Sequence, residues 1–135
     1  MISVLLPSRS RKMKLDQAIE SLLDNAVNPD NVEIIVRIDD DESDLYGIVE
    51  HAQMVVGPRF GYAGLHQYEN QLAALAKGEW FLLFGDDATM QTVGWDEIVR
   101  EVPHSMCLVE FRDGWSNGRK ESCFPIFPRA YYDVL

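Results

Sequence analysis

Short apolar runs alternate with one-faced helical patterns along most of this chain, and that alternation constrains the fold more than any other feature. Ile2-Ser3-Val4-Leu5-Leu6 is an apolar run stopped by Pro7, the pattern of a buried strand. Residues 13–27 then change period. Leu15, Ala18, Ile19, Leu22, Leu23 and Ala26 fall at i, i+3, i+4, i+7, i+8 and i+11, which is one face of a helix. Asn28-Pro29-Asp30-Asn31 breaks it, and residues 32–38 (Val-Glu-Ile-Ile-Val-Arg-Ile) form a second, β-branched strand. A short helix near 44–51 and a third strand near 53–56 are expected next. The loop Gly57-Pro58-Arg59-Phe60-Gly61 leads into a helix at 63–77, with Leu65, Leu72, Leu75 and Ala76 facing inward and Gly78 at its C-cap. Residues 79–84 are the most apolar run and predict a central strand, ended by Gly85-Asp86-Asp87. A helix near 94–101, strands at 106–111 and 121–127, and a helix starting at 129 complete the pattern. Strands alternating with helices predict an α/β fold, with a mainly parallel sheet flanked by helices on both faces.

The 135 residues suffice for one domain, 1–135, with its own core. The net charge of −10 repels a polyphosphate backbone, so no nucleic acid is expected as a partner. A small phosphate ligand is compatible with that charge when a divalent cation bridges it to carboxylates. No apolar run approaches the about 20 residues of a transmembrane segment. The first residues carry no basic segment or cleavage site and read as a strand rather than a leader, which gives a cytoplasmic expectation. Cys107 and Cys123 match no zinc or disulfide pattern and read as reduced core or strand residues.

In a parallel sheet of this kind, ligands sit beyond the carboxyl ends of the strands. The four predicted strand ends carry Pro7-Ser8-Arg9, Asp39-Asp40-Asp41, Gly57-Pro58-Arg59 and Gly85-Asp86-Asp87. Asp86 and Asp87 are the focus. Two adjacent carboxylates at the end of an apolar strand repel each other and are costly to bury, and a divalent cation removes that cost. Because side chains alternate along an extended segment, the two acids are expected to differ in role, one on a metal and one on a ribose or the loop. Gly85 leaves room for a ligand to approach. Asp39 can accept hydrogen bonds from a base or a ribose, whereas Asp41, Glu42 and Asp44 read as a solvated acidic loop. Arg9 and Arg59 stand nearest the strand ends and suit phosphate oxygens, with Arg11, Lys12 and Lys14 close by.

Other chemistries are excluded by pattern. No serine sits in a nucleophile elbow, and there is no P-loop or Gly-x-Gly-x-x-Gly fingerprint. His51, His66 and His104 show no ligand spacing. A phosphoacceptor receiver would carry its acids after the first and third strands, whereas here they follow the second and fourth.

Four ordered stretches resemble the family 2 glycosyltransferases. They are Ser3-Val4-Leu5-Leu6-Pro7-Ser8-Arg9, Val36-Arg37-Ile38-Asp39-Asp40-Asp41-Glu42-Ser43, Asn70 through Trp80, and Phe84-Gly85-Asp86-Asp87. The resemblance covers roughly residues 2–100 and implies a Rossmann-like GT-A, nucleotide-diphospho-sugar transferase fold. It further implies that Asp39 contacts the base, usually uracil, and that Asp86 and Asp87 bind ribose and a Mn²⁺ or Mg²⁺ on the diphosphate. Pro7, Ser8 and Arg9 would line the nucleotide pocket, with Arg59 near the phosphates. The acid motif here is Gly-Asp-Asp-Ala rather than a spaced Asp-x-Asp, so both aspartates remain metal candidates. Residues 1–100 would be the donor nucleotide part and 101–135 a partial acceptor part. Glu110, Asp113 and Glu121 are the late acids available, and none sits in a matching motif.

The resulting expectation is a metal-dependent glycosyltransferase-like domain that takes a nucleotide-diphospho-sugar, UDP-sugar favoured, and passes the sugar to an acceptor. Two alternatives stand beside it. One is a non-catalytic nucleotide- or partner-binding module, supported by the chain's stopping at Leu135. The other is a sugar-phosphate nucleotidyltransferase of shared fold.

Overall fold

The computed structural model describes residues 1–103, 107–112 and 123–134. Five strands form one sheet in the order β3-β2-β1-β4-β5: β1 (Ile2–Ser8), β2 (Val32–Asp39), β3 (Gln53–Gly57), β4 (Trp80–Leu83) and β5 (Ile126–Pro128). The first four run parallel, and β5 pairs antiparallel with β4. Helices α1 (Lys12–Asp24), α2 (Ser43–Tyr46), α3 (Leu65–Leu75), α4 (Trp95–Glu101) and α5 (Arg129–Tyr132) connect and flank the strands.

The alternation along β1 explains the two-sided core. Ile2, Val4 and Leu6 face one way and pack with Leu15, Ala18, Ile19 and Leu22 of α1 and with Trp95 and Val99 of α4. Leu5 faces the other way and packs with Leu72 and Ala73 of α3, Ala76 and Phe81. The α1 stripe is therefore buried from Leu15 to Leu22 as its period predicts, whereas Leu23 is half-buried and Ala26 lies beyond the helix end at Asp24. The α3 stripe is rotated from expectation: Tyr68, Leu72, Ala73 and Ala76 are buried, whereas Leu65 and Leu75 are exposed. That face fits the flat surface of Leu5, Ile35 and Phe81.

Other expectations are corrected. Pro7 does not end β1, which runs on to Ser8. Its absent N–H costs nothing in the ladder. The Leu5 carbonyl accepts from Phe84 on the β4 side, Pro7 faces that same side two residues on, and β1–β4 pairing has ended by then. Gly78 is not the cap of α3, which ends at Leu75 with Ala76 as its cap; it lies against the start of β1 instead. The run at 79–84 forms β4 as expected, an interior strand flanked by β1 and β5. At 106–111, Val109 makes a single antiparallel bridge to Ile126 and no named strand forms among the described residues. Cys107 and Cys123 form no disulfide, and Cys123 is exposed rather than in the core.

Asp96 illustrates how loops are tied to this core. It lies in the first turn of α4, fully buried, and accepts from the amides of Val27 (2.8 Å) and Asn28 (3.0 Å) and from Arg100 (2.7 Å). Burial pushes its carboxyl up, but the two amides and Arg100 outweigh that and hold it below the usual carboxylate range. A depressed folded-state pKa stabilises above the unfolded value, about 4, and the contribution is lost as pH falls through the folded one. Asp96→Asn puts an NH₂ where an amide donor needs an acceptor and leaves Arg100 without its carboxylate. Urea unfolding at pH 7 should show a loss of about 2–3 kcal/mol. The gap between the two proteins should narrow as pH drops below about 4; a gap that stays constant would contradict the assignment.

Candidate functional site

Strand order reverses at β1, whose neighbours β2 and β4 are reached by crossovers on opposite faces of the sheet. A crevice therefore opens beyond the carboxyl ends of β1 and β4, the place where open α/β sheets bind ligands. Ser8 and Arg9 arrive from β1, Asp39 from β2, and Gly85-Asp86-Asp87 from the turn after β4.

The structure brings these residues together. The Ser8 hydroxyl donates to Asp86 Oδ2 (2.8 Å) and pairs with the Tyr46 hydroxyl (2.8 Å). Arg9 Nη1 donates to Asp39 Oδ2 (2.8 Å) and to Asp41 Oδ1 (2.8 Å), and its Nη2 reaches Asp41 Oδ2 (3.0 Å). Tyr68 donates its hydroxyl proton to the other oxygen of Asp39 (2.8 Å) and accepts from the Phe60 and Gly61 amides. Both oxygens of this nearly buried carboxylate are thus engaged.

At the β4 turn, Arg11 Nη1 lies 3.2 Å from Asp86 Oδ1 and 3.0 Å from Asp87 Oδ2. One guanidinium nitrogen therefore bridges both carboxylates. The expected opposition of the two side chains fails because the chain has left the strand: Asp86 and Asp87 form a turn closed by Ala88 N–H on the Gly85 carbonyl (3.1 Å). Alternation holds only for extended backbone. Gly85 does not open space for a ligand either. A Cβ there would meet the Phe124 ring at 3.0 Å, so the glycine admits that ring.

Asp41 and Glu42 are more engaged than a solvated loop. The Arg9 guanidinium bonded to Asp41 holds its carboxyl below the ordinary range, and Arg9 is itself pushed further up by Asp41 and Asp39. Glu42 is buried and accepts from the Ser10 amide (2.7 Å) and hydroxyl. Arg59 is exposed and near enough to Asp41 to add to the lowering of its carboxyl. His51 and His66 are exposed, and His104, Asp113 and Glu121 lie outside the described residues. Glu110 is exposed, on the segment that bridges to Ile126.

Three residues that carry this site were not singled out from sequence. Tyr46 and Tyr68 hold Ser8 and Asp39 through their hydroxyls, and nothing in their spacing announces it. Arg37 did carry a signal, a cation inside an apolar strand. It is fully buried, bonds the carbonyls of Ile38, Gly57 and Pro58 and the Gln71 amide oxygen, and lies against the rings of Phe60 and Tyr68. A buried guanidinium requires such partners, so Arg37 fixes the β3 loop next to Asp39.

A cavity of about 670 Å³ opens beside Asp87, with Phe84, Thr89, Met90, Phe111 and Phe124 among its walls. Among the described residues, no group of three or more His, Cys, Asp or Glu side chains could hold a metal by itself. Two carboxylate oxygens converging on one cationic atom nonetheless suit a divalent ion whose other ligands come from phosphate and water.

The sheet order and crossovers give a fold shared with solved glycosyltransferases of the GT-A type. Solved structures agree. A mannosyltransferase from Pyrobaculum calidifontis, in complex with GDP-Man and Mn²⁺, superposes with a TM-score of 0.69 at 15% identity, over 98% of this chain and 46% of that one. S. aureus TarS in complex with UDP matches at 0.61 and 16%, over 98% and 48%. Glucosyl-3-phosphoglycerate synthase from Mycobacterium tuberculosis, with Mg²⁺ and UDP, matches at 0.60 and 15%, over 96% and 57%. At these identities the likeness is one of fold, and this chain spans about half the length of the chains it matches. No family model matches the sequence, and no curated protein matches it. Among the described residues, no helix is long and apolar enough to cross a membrane.

Proposed function

We propose that this domain binds a nucleotide-diphospho-sugar, with UDP-sugar favoured, and transfers its sugar to an acceptor with the help of Mn²⁺ or Mg²⁺. The observation that carries the reading is a pair of charge clusters at adjacent strand ends, Arg9 with Asp39 beyond β1 and β2 and Arg11 with Asp86 and Asp87 beyond β1 and β4, on a fold shared with glycosyltransferases. Asp39, bonded by Arg9 and Tyr68, would accept from the base through a remaining lone pair of its carboxylate. Pro7 and Ser8 line the nucleotide pocket, where the Ser8 hydroxyl holds Asp86 in place. Arg9 and Arg59 offer guanidinium groups to phosphate oxygens. Asp86 and Asp87 would hold the divalent cation, and Asp86 also faces the ribose. When bound, that cation stabilises the charge that develops on the departing nucleoside diphosphate. The cavity beside Asp87 receives the sugar and the acceptor hydroxyl.

Titration calorimetry with UDP and GDP, with and without Mn²⁺, tests the binding half. The expected result is metal-dependent heat with UDP preferred; the absence of binding by any nucleoside diphosphate in Mn²⁺ sinks the proposal. Release of free sugar from a UDP-sugar tests the chemical half, since a binding module would leave the donor intact.

A further inference from the structure

The loop after β1 is held at three points. Arg9 bonds Asp39 and Asp41, the Ser10 amide and hydroxyl both bond Glu42, and the Arg11 amide donates to the Tyr46 hydroxyl (3.2 Å). The backbone under Arg11 is therefore anchored. Its side chain is about half exposed, 48%, and reaches out to the two aspartates on a long flexible stem. Asp86, by contrast, has only 11% of its side chain exposed and is fixed by Ser8.

These facts give Arg11 a different standing from Arg9. Arg9 pairs with acids of β2 and the turn that follows it, whereas Arg11 places a single nitrogen between Asp86 and Asp87. We propose that Arg11 is the resident counter-cation of the Asp86–Asp87 pair: it stands between the two carboxylates that would hold a divalent ion, and would transfer to the diphosphate when nucleotide and metal bind. This inference rests on the metal-site reading of the two aspartates given above.

The charges explain why such an exchange is favourable. Two carboxylates close together repel, and one guanidinium neutralises only half of their charge. A divalent ion neutralises both, which releases a guanidinium whose best new partner is a phosphate pair of oxygens. With no nucleotide present, an incoming ion must displace Arg11 into water, so bare metal binds weakly. With a diphosphate present, Arg11 exchanges one anionic partner for another. Metal and nucleotide therefore bind cooperatively, and by linkage each raises the affinity of the other by the same factor. Arg11 is thus a positioning residue that sets the order and coupling of binding.

Mn²⁺ titrations followed by the electron spin resonance of the free ion, with and without saturating UDP, test this on the intact chain. Arg11→Gln should bind Mn²⁺ alone about ten-fold more tightly than wild type, and UDP should raise its Mn²⁺ affinity about ten-fold less. Lys12→Gln makes the same change of charge one residue along, at a side chain paired with Asp16, and should leave both quantities within about two-fold. Equal Mn²⁺ affinities and equal UDP effects in wild type and Arg11→Gln would overturn the proposal, as would weaker Mn²⁺ binding in the variant. If neither protein retained Mn²⁺ even with UDP, the metal-site reading itself would fall, and this inference with it. A purely structural role for Arg11 would shift the unfolding temperature without altering the UDP-induced gain.

Discussion

Asp87→Ala is expected to lower the affinity for UDP in Mn²⁺ by about 100-fold, or about 2.7 kcal/mol, while the protein stays folded. On the proposed function this carboxylate is one of two that the chain supplies to the metal. Its fold contribution is small. The side chain is about half exposed, and among the described residues its hydrogen bond is to Arg11 alone. A surface pair of that kind contributes at most about 1 kcal/mol. Calorimetry reads the affinity, and thermal unfolding by circular dichroism should place the variant within a few degrees of wild type. Unchanged UDP affinity would remove Asp87 from the site. Asp86→Ala is the less clean experiment, because it also strips the buried Ser8 hydroxyl of its acceptor.

The largest effect on stability is expected at a residue with no side chain. A Cβ on Gly78 would stand 2.5 Å from Ser3 Oγ, 2.7 Å from Ser3 N and 2.8 Å from the Met1 carbonyl oxygen. Two of those atoms are backbone, Ser3 N within β1 and the Met1 carbonyl just before it, and Ser3 is fully buried and registered against Phe81 of β4. Relief would mean parting β1 from β4. The Gly78 amide also donates to Ser3 Oγ (2.8 Å) and Glu33 Oε1 (3.0 Å), bonds that a shifted backbone would lose. Gly78→Ala should therefore cost about 3 kcal/mol or more, a fall of about 10 °C in unfolding temperature. A variant that melts with wild type would show that the two strands can separate here at little cost. Because β4 carries Asp86 and Asp87 at its far end, the same substitution should also weaken metal-dependent UDP binding.

Much of the scaffold was legible because it is periodic. The α1 stripe from Leu15 to Leu22 and the apolar runs of β1, β2 and β4 are local patterns, and the three strands formed within two residues of where the pattern placed them, whereas α1 stopped at Asp24 rather than at 27. The α3 stripe misled because Tyr68 is both polar and apolar. Counting it as core turns the helix, exposing Leu65 and Leu75 and burying Ala73. Pro7 misled because its effect depends on which side of the strand is paired, and that is a property of the sheet.

By itself, then, the sequence determined the α/β alternation and the delivery of Arg9, Asp39, Asp86 and Asp87 to strand ends, because hydrophobic period and strand termination are local. Only the tertiary structure decided which charges meet. The pairing of Arg9 with Asp39 joins residues 30 apart, and that of Arg11 with Asp86 joins residues 75 apart. Strand order brings those ends together, and a tight turn after Gly85, rather than an extended strand, aims Asp86 and Asp87 at the same cation. Coulombic partners are chosen by distance in space, and sequence spacing carries no record of it.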